Sequence, residues 1–200
     1  MTVRLSKDDI DQAVAFLLKG QVVAFPTDTV FGVGVRYDDL QAVQRMRDAK
    51  GRDPQKPFPL MVADLEQMSA VAYVDPRTTR IAERFMPGAL TLVLKKKDVI
   101  SDASVNGVST VAIRIPDDDF VLALLRRVGP MFVTSANLSD HPSANTDQEV
   151  MTQLDGRIAA VVAGQSVSHV ASTIIDCTKP QLVCLRQGQL TLDEIEKETA

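Results

Sequence analysis

Four segments of this 200-residue chain place polar side chains directly after apolar runs, the arrangement by which α/β proteins build sites at strand ends. In Phe25-Pro26-Thr27-Asp28-Thr29-Val30-Phe31-Gly32-Val33-Gly34, three hydrogen-bonding side chains lie between a strand and a glycine-bearing turn. They would hold a small polar substrate, or else cap their own backbone. Ala49-Lys50-Gly51-Arg52-Asp53-Pro54-Gln55-Lys56-Pro57 sets three cations at the end of a helix. Cations complement any helix C-terminus. Lys50, Arg52 and Lys56 also offer a compact anion site, in which arginine grips a phosphate or carboxylate at two points and lysine adds a point charge. Val133-Thr134-Ser135-Ala136-Asn137-Leu138-Ser139 carries small groups that let a ligand approach the backbone, or that form an Asx/Ser turn. Ala171-Ser172-Thr173-Ile174-Ile175-Asp176, with Arg186-Gln187-Gly188 closing the next strand, adds a hydroxyl and an arginine that in isolation reads as solvated.

Other chemistry finds little support. No GxxxxGK[ST], HExxH or GxSxG occurs, and Gly32-Val33-Gly34 lacks the third glycine of a dinucleotide loop. His141 and His169 are far apart in sequence and read as surface or loop residues. Cys177 and Cys184 lack CxxC spacing and read as reduced, partly buried thiols.

The elements that must position these segments alternate between helix and strand. Ser6 and Asp9 cap a helix over 6–20, with Ile10, Ala13, Val14, Leu17 and Leu18 on one face. A buried strand spans 21–25. A loop leads to a helix over 38–49 with Leu40, Val43 and Met46 on one face, and a strand spans 58–63. Asp75-Pro76 starts a helix carrying Ile81 and Phe85 inward and ending at Pro87-Gly88. Strands at 90–94 and 110–115 precede a helix over 117–128 and a strand at 131–133. Thr146 and Glu149 cap a helix running to about Leu154. Strands at 158–163, 172–177 and 181–185 follow, the last two as an antiparallel hairpin, and a polar helix closes the chain near 191–199. This predicts a mixed sheet covered by helices, in one domain over 1–200, since no repeat or linker interrupts it.

Composition narrows the class. The chain is 45% hydrophobic, too apolar for disorder, and ten Gly and ten Pro exclude a collagenous chain. No run approaches a membrane span, and residues 1–9 lack the apolar core of a signal peptide. The expected location is cytoplasmic, with no membrane partner. A net charge of −4 argues against a globally basic nucleic-acid coat.

The joint order of the motifs carries more than any one of them. PTDTVFGxG, KxR twenty-one residues after Thr29, TVAIRIP, TSAN and STIID…RxG together closely resemble the YrdC-like family of threonylcarbamoyl-adenylate synthases, over residues 21–188. The resemblance implies a twisted mixed parallel/antiparallel α/β sheet, with helices around a concave cationic cavity. It implies condensation of L-threonine, bicarbonate and ATP to threonylcarbamoyl-adenylate and pyrophosphate. A partner transferase complex then modifies adenosine 37 of tRNA. Mg²⁺ would accompany ATP, held by substrate and water, with no dedicated metal cage.

By matching position, Lys50, Arg52 and Lys56 would face the ATP phosphates, Lys50 and Arg52 as catalytic cations, with Ser135 and Asn137 opposite. Thr110, Ser143 and Arg186 would complete the nucleotide site. Thr29, Arg114 and Ser172 would hold threonine, with Met61 and the backbone at Val133 lining that pocket. Four positions depart from the common pattern. Asp53 precedes Pro54 where many members have proline, and this acid would crowd the phosphates or pair with a cation. Met61 replaces a frequent histidine, losing its hydrogen bond to threonine. Ala163-Gly164-Gln165 replaces a DGG stretch, and Asp140 a glycine. The chain ends soon after RxG, which implies the short form of the family, without a further C-terminal domain.

Two other classes compete. Residues 36–56 hold six cations and four acids, a net of +2, which suits a module that binds tRNA or double-stranded RNA and would release it steeply with salt. A carbamoyl-transfer domain like those of hydrogenase-maturation proteins is disfavoured, because no acylphosphatase-like or zinc-finger segment is present.

Overall fold

A computed structural model describes residues 1–53, 55–168 and 170–199; the readings made for Pro54 and His169 lie outside the described residues. The strands are β1 Val3–Leu5, β2 Val23–Phe25, β3 Gly32–Arg36, β4 Leu60–Met61, β5 Leu90–Lys95, β6 Thr110–Arg114, β7 Met131–Ser135, β8 Ala160–Val162, β9 Thr173–Asp176 and β10 Val183–Arg186. The helices are α1 Ile10–Leu18, α2 Leu40–Lys50, α3 Leu65–Val71, α4 Pro76–Phe85, α5 Asp119–Val128, α6 Asp147–Leu154 and α7 Leu192–Thr199.

Among the described residues, ten strands join in one sheet, in the order β1-β8-β2-β3-β7-β4-β6-β5-β9-β10. The ladders β1–β8, β2–β8, β4–β6 and β5–β9 are parallel, and the others are antiparallel. The expected hairpin of β9 and β10 forms, with an irregular register between Cys184 and Arg186.

Local chemistry starts the helices where the sequence indicates. Asp39, Asp64, Asp75, Asp118 and Thr146 each accept the backbone N–H three residues on, at 2.7–3.2 Å, satisfying one orphan donor of the first turn. Asp9 instead accepts from both the backbone and the hydroxyl of Ser6, and a 3-10 turn at Lys7–Asp9 precedes α1. One core layer packs Ala13, Val14 and Leu17 of α1 and Val121 and Leu125 of α5 against the sheet. A second packs Val43 and Met46 of α2, Met68, Ile81, Val150 and Ile195.

Three expectations need correction. The 26–37 stretch is not all loop: Gly32–Arg36 is a central strand. Its glycines leave room for a neighbouring strand, since a Cβ on Gly32 would sit 3.0 Å from Val133 Cγ1 and that side chain would have to shift. Leu40 is exposed rather than part of the α2 core face. β1 and α3 fall in stretches given no element, and only Leu60–Met61 of the 58–63 stretch pairs as a strand.

Candidate active site

Strand register brings the site together. Met61 of β4 lies opposite Arg114 of β6. Thr91 follows one step beyond the Leu92–Ile113 rung and lies opposite Ile174, which faces Arg186. These five residues form a row across four neighbouring ladders, and all five line a cavity of about 260 Å³. The opposite wall comes from Thr27, Thr29 and Gly32 between β2 and β3, and from Val133, Thr134 and Ser135 at the end of β7, where Ser135 pairs with Gly32. Ser143 and Ser172 complete the polar lining. Among the described residues, three guanidiniums and no carboxylate line this space, so it presents hydrogen-bond donors and positive charge.

Each arginine is held differently. Arg114 is 5% exposed. It donates from Nε to Gly88 O (2.9 Å), from Nη1 to Thr29 Oγ1 (2.6 Å) and from Nη2 to Asp28 Oδ2 (2.6 Å). Burial lowers its pKa and Asp28 opposes that shift; it stays charged. Arg186 donates to Ser172 O from Nε and Nη2 (3.0 and 2.9 Å) and to Ser172 Oγ from Nη2 (3.2 Å). Arg52 stacks on Phe58 with Cζ 5.0 Å from the ring centroid, while Arg47 stacks on the same ring at 4.9 Å. Arg47 donates to Asp53 O and Lys56 O, fastening the 51–57 loop.

Not every expected residue reaches the cavity. Thr29, Arg52, Met61, Arg114, Val133, Ser135, Ser143, Ser172 and Arg186 line it. Lys50, Lys56, Thr110 and Asn137 are not among its lining residues. Lys50 is 2% exposed, and its Nζ donates to Ser135 O (2.5 Å) and Asn137 O (2.6 Å). The Asn137 amide donates to Leu138 O and His141 O. Of KxR…SxN, then, Arg52 and Ser135 line the cavity while Lys50 and Asn137 brace the loop that follows Ser135 at the end of β7. Lys56 is exposed on the 51–57 loop. Thr110 sits at the far end of β6 opposite Lys95, four residues from Arg114.

Two of the four departures, Asp53 and Asp140, have local explanations. The Asp53 carboxylate accepts the Gln55 N–H at 2.9 Å and, among the described residues, forms no ion pair, so the expected pairing with a cation is not observed. Asp140 has φ of 64°, a left-handed conformation that aspartate tolerates better than most residues and glycine best. Cys177 is buried and its thiol is pushed up to about 12 by that burial, which makes it unreactive.

Thr27, Thr91 and Thr134 also line the cavity, and none of the three belongs to the set expected by matching position. Thr27 donates to Val30 O (2.7 Å) and lies 3.2 Å from Thr29 Oγ1. Thr91 lies 2.8 Å from Ser172 Oγ. Its signal was a lone hydroxyl in the apolar run Leu90-Thr91-Leu92-Val93-Leu94. Gly188 keeps this wall close: a Cβ there would lie 2.5 Å from both Ala171 O and Thr173 N. Gly188→Ala is expected to cost about 1–3 kcal/mol through overpacking, read as a shift in the urea midpoint at unchanged m-value.

A donor-lined cavity at the strand ends of a mixed α/β sheet defines a site for a small anionic ligand. Comparison with known proteins gives the family. The Sua5/YciO/YrdC family model, described as "Telomere recombination", matches residues 15–188, and the chain belongs to that family. It is 41% identical over 202 residues to a threonylcarbamoyl-AMP synthase of Bacillus subtilis (strain 168), covering 98% of this chain and 58% of the relative. The structure of Pyrococcus abyssi Sua5 complexed with L-threonine superposes with a TM-score of 0.92 at 36% identity, covering 99% of this chain and 60% of that one. Escherichia coli YciO superposes with a TM-score of 0.86 at 25% identity, covering 98% and 100%. The chain thus spans 58% of the length of its Bacillus relative.

Proposed function

We propose that this chain is a threonylcarbamoyl-adenylate synthase. The observation that carries the reading is the cavity: three arginines and a ring of hydroxyls, with no lining carboxylate among the described residues. Such a lining suits a carboxylate and a polyphosphate together. At about 260 Å³, it takes a small amino acid whole, while a nucleotide extends past its mouth.

In this reading, L-threonine places its carboxylate between Arg114 and Ser172, beside Thr29 and Met61. Its amine combines with bicarbonate, releasing water and forming a carbamate. A carbamate oxygen attacks the α-phosphorus of ATP, a P–O bond forms, and the bond to the pyrophosphate oxygen breaks. Arg52, Ser135, Ser143 and Arg186 line the nucleotide side. Lys50 and Asn137 support it by holding the Ser135 loop. Such a transfer asks for positioning and charge stabilisation rather than a nucleophilic side chain, which suits a lining that holds no histidine or thiol among the described residues. The donor set of hydroxyls and guanidiniums does not fit a protein-held Mg²⁺, and among the described residues no cluster of three or more His, Cys, Asp or Glu could hold a metal. Mg²⁺ therefore arrives with the nucleotide as part of the substrate. The product passes to a separate transferase that acts on tRNA. Among the described residues no helix is long and apolar enough to cross a membrane.

The test is pyrophosphate release from ATP by the purified chain. Release should need both L-threonine and bicarbonate, and Arg52→Ala should lower it by about 10²-fold. Release that ignores L-threonine, or none above background, overturns the assignment.

A further inference from the structure

We propose that Gln153 of α6 is a positioning residue for the nucleotide side of the cavity: its amide fixes the Pro142–Ser143 peptide, so that Ser143 meets an anionic nucleotide oxygen with two uncommitted donors. The inference rests on the reading of this wall as the nucleotide side.

Ser143 belongs to a loop whose two ends are pinned to one residue. The Ala136 N–H donates to Phe31 O (2.7 Å), and the Phe31 N–H donates to Ala144 O (2.9 Å). Both alanines are buried. Ser135 precedes the first end and Ser143 the second, and both serines line the cavity beside Phe31. Between the ends, α6 holds the loop at two points. Gln153 Oε1 accepts the Leu138 N–H (3.0 Å), and Gln153 Nε2 donates to Pro142 O (3.1 Å). The partners fix the orientation of this amide, because a backbone N–H can only donate and a backbone carbonyl can only accept. Asn137 secures the turn between the two points by donating to Leu138 O and His141 O.

Control of Pro142 O is control of Ser143. The carbonyl of one residue and the N–H of the next share a rigid plane and, in a trans peptide, point in opposite directions. The Pro142–Ser143 bond is trans. With Pro142 O turned towards α6, the Ser143 N–H points away from that helix. Among the described residues, neither this N–H nor the Ser143 hydroxyl has a hydrogen-bond partner in the protein. A backbone N–H and a hydroxyl carried by one residue suit the oxygens of a phosphate, and bonds to an ionised acceptor are the stronger kind. Gln153 does not line the cavity itself. It reaches the ligand through one peptide plane, which is why its place on α6, ten residues after Ser143, gives no sign of the role.

The experiment is steady-state pyrophosphate release, with ATP and L-threonine varied in turn, for the wild-type chain, Gln153→Glu, Ser143→Ala and the double variant Gln153→Glu/Ser143→Ala. Gln153→Glu keeps the shape and the acceptor for Leu138 but sets a carboxylate oxygen against Pro142 O. It should raise KM for ATP roughly tenfold, the scale of one lost hydrogen bond, and leave KM for L-threonine within about twofold of wild type. A brace that only stabilises the fold would leave both constants alone or raise them together. Because Gln153 acts through Ser143, the combined loss in the double variant should fall short of the product of the single losses by about threefold or more, whereas independent effects multiply. An unchanged KM for ATP in Gln153→Glu, equal rises in both constants, or losses that multiply overturn the proposal while leaving the nucleotide site intact. A folded wild type without L-threonine-dependent turnover overturns both. Should Gln153→Glu fail to fold, Gln153→Met, which drops the amide donor without adding charge, takes its place in every comparison.

Discussion

Arg114→Met is expected to lower L-threonine-dependent pyrophosphate release by about 10³-fold or more and to destabilise the fold by about 3–5 kcal/mol. The stability loss follows from what the substitution leaves behind. Arg114 and Asp28 form a buried pair with side-chain exposures of 5% and 12%, and removing one partner strands the other charge in a low dielectric. Gly88 O and Thr29 Oγ1 also lose their donor. The activity loss has a separate origin, because three protein contacts fix the guanidinium beside the cavity before any ligand arrives. Adding Asp28→Asn to Arg114→Met separates the two effects. The double variant should regain most of the stability, since no uncompensated carboxylate remains, and none of the activity. Urea unfolding and the pyrophosphate assay on the same preparations read both. An Arg114→Met variant that keeps near-wild-type L-threonine-dependent turnover would refute the assignment of Arg114.

Lys50→Met should be nearly as damaging, by a route that avoids the cavity altogether. Two backbone carbonyls lose their donor, at about 2–4 kcal/mol together, and the loop bearing Ser135 loses its anchor, for which turnover should fall about 10²-fold. The pH dependence is distinctive. Burial and the nearby Arg52 push Lys50 from its ordinary 10.5 down to about 7. Between those values the unfolded chain holds a proton that the folded chain has released, so this residue makes stability rise with pH from about 7 towards 10.5. The neutral amine keeps two N–H groups for its two carbonyls, so the loop anchor survives deprotonation. Lys50→Met should remove this contribution, visible as a flatter plot of unfolding free energy against pH. An unchanged slope would show that Lys50 keeps an ordinary titration in the folded chain.

How much of this was legible in the sequence depends on what kind of information each feature needed. Capped helices were plain, because Asp75-Pro76 and Thr146…Glu149 act over three or four residues. The hairpin of β9 and β10 was plain because its connection is short. β3 was hidden because its glycines, which read locally as a turn, answer to Val133 a hundred residues away. α3 was hidden because its seven residues are too few for a clear period, although Asp64 caps it by the same chemistry as its neighbours. The same division runs through the site. Residue types told which side chains suit an anion, but not that Lys50 turns towards carbonyls while Arg52 faces the cavity. That choice is made by the Ser135–Asn137 loop arriving beside the end of α2. Thr91 escaped notice because its partner lies on another strand, eighty-one residues further along.

The row from Met61 to Arg186 has a kinetic consequence. Its members are contributed by five strands and can align only after β9 and β10 have docked on β5, through loops whose closure is entropically slow. A chain folded as far as β8 would hold Met61, Arg114 and Thr91 in place and still lack the arginine and serine of the far wall. The cavity is therefore complete only when β9 and β10 are docked on β5. A ligand that fills the cavity stabilises only the finished sheet, by RT ln(1 + [L]/Kd). Substrate should therefore act chiefly as a brake on unfolding of the β9–β10 end, while leaving the early steps of folding as fast as they are without it.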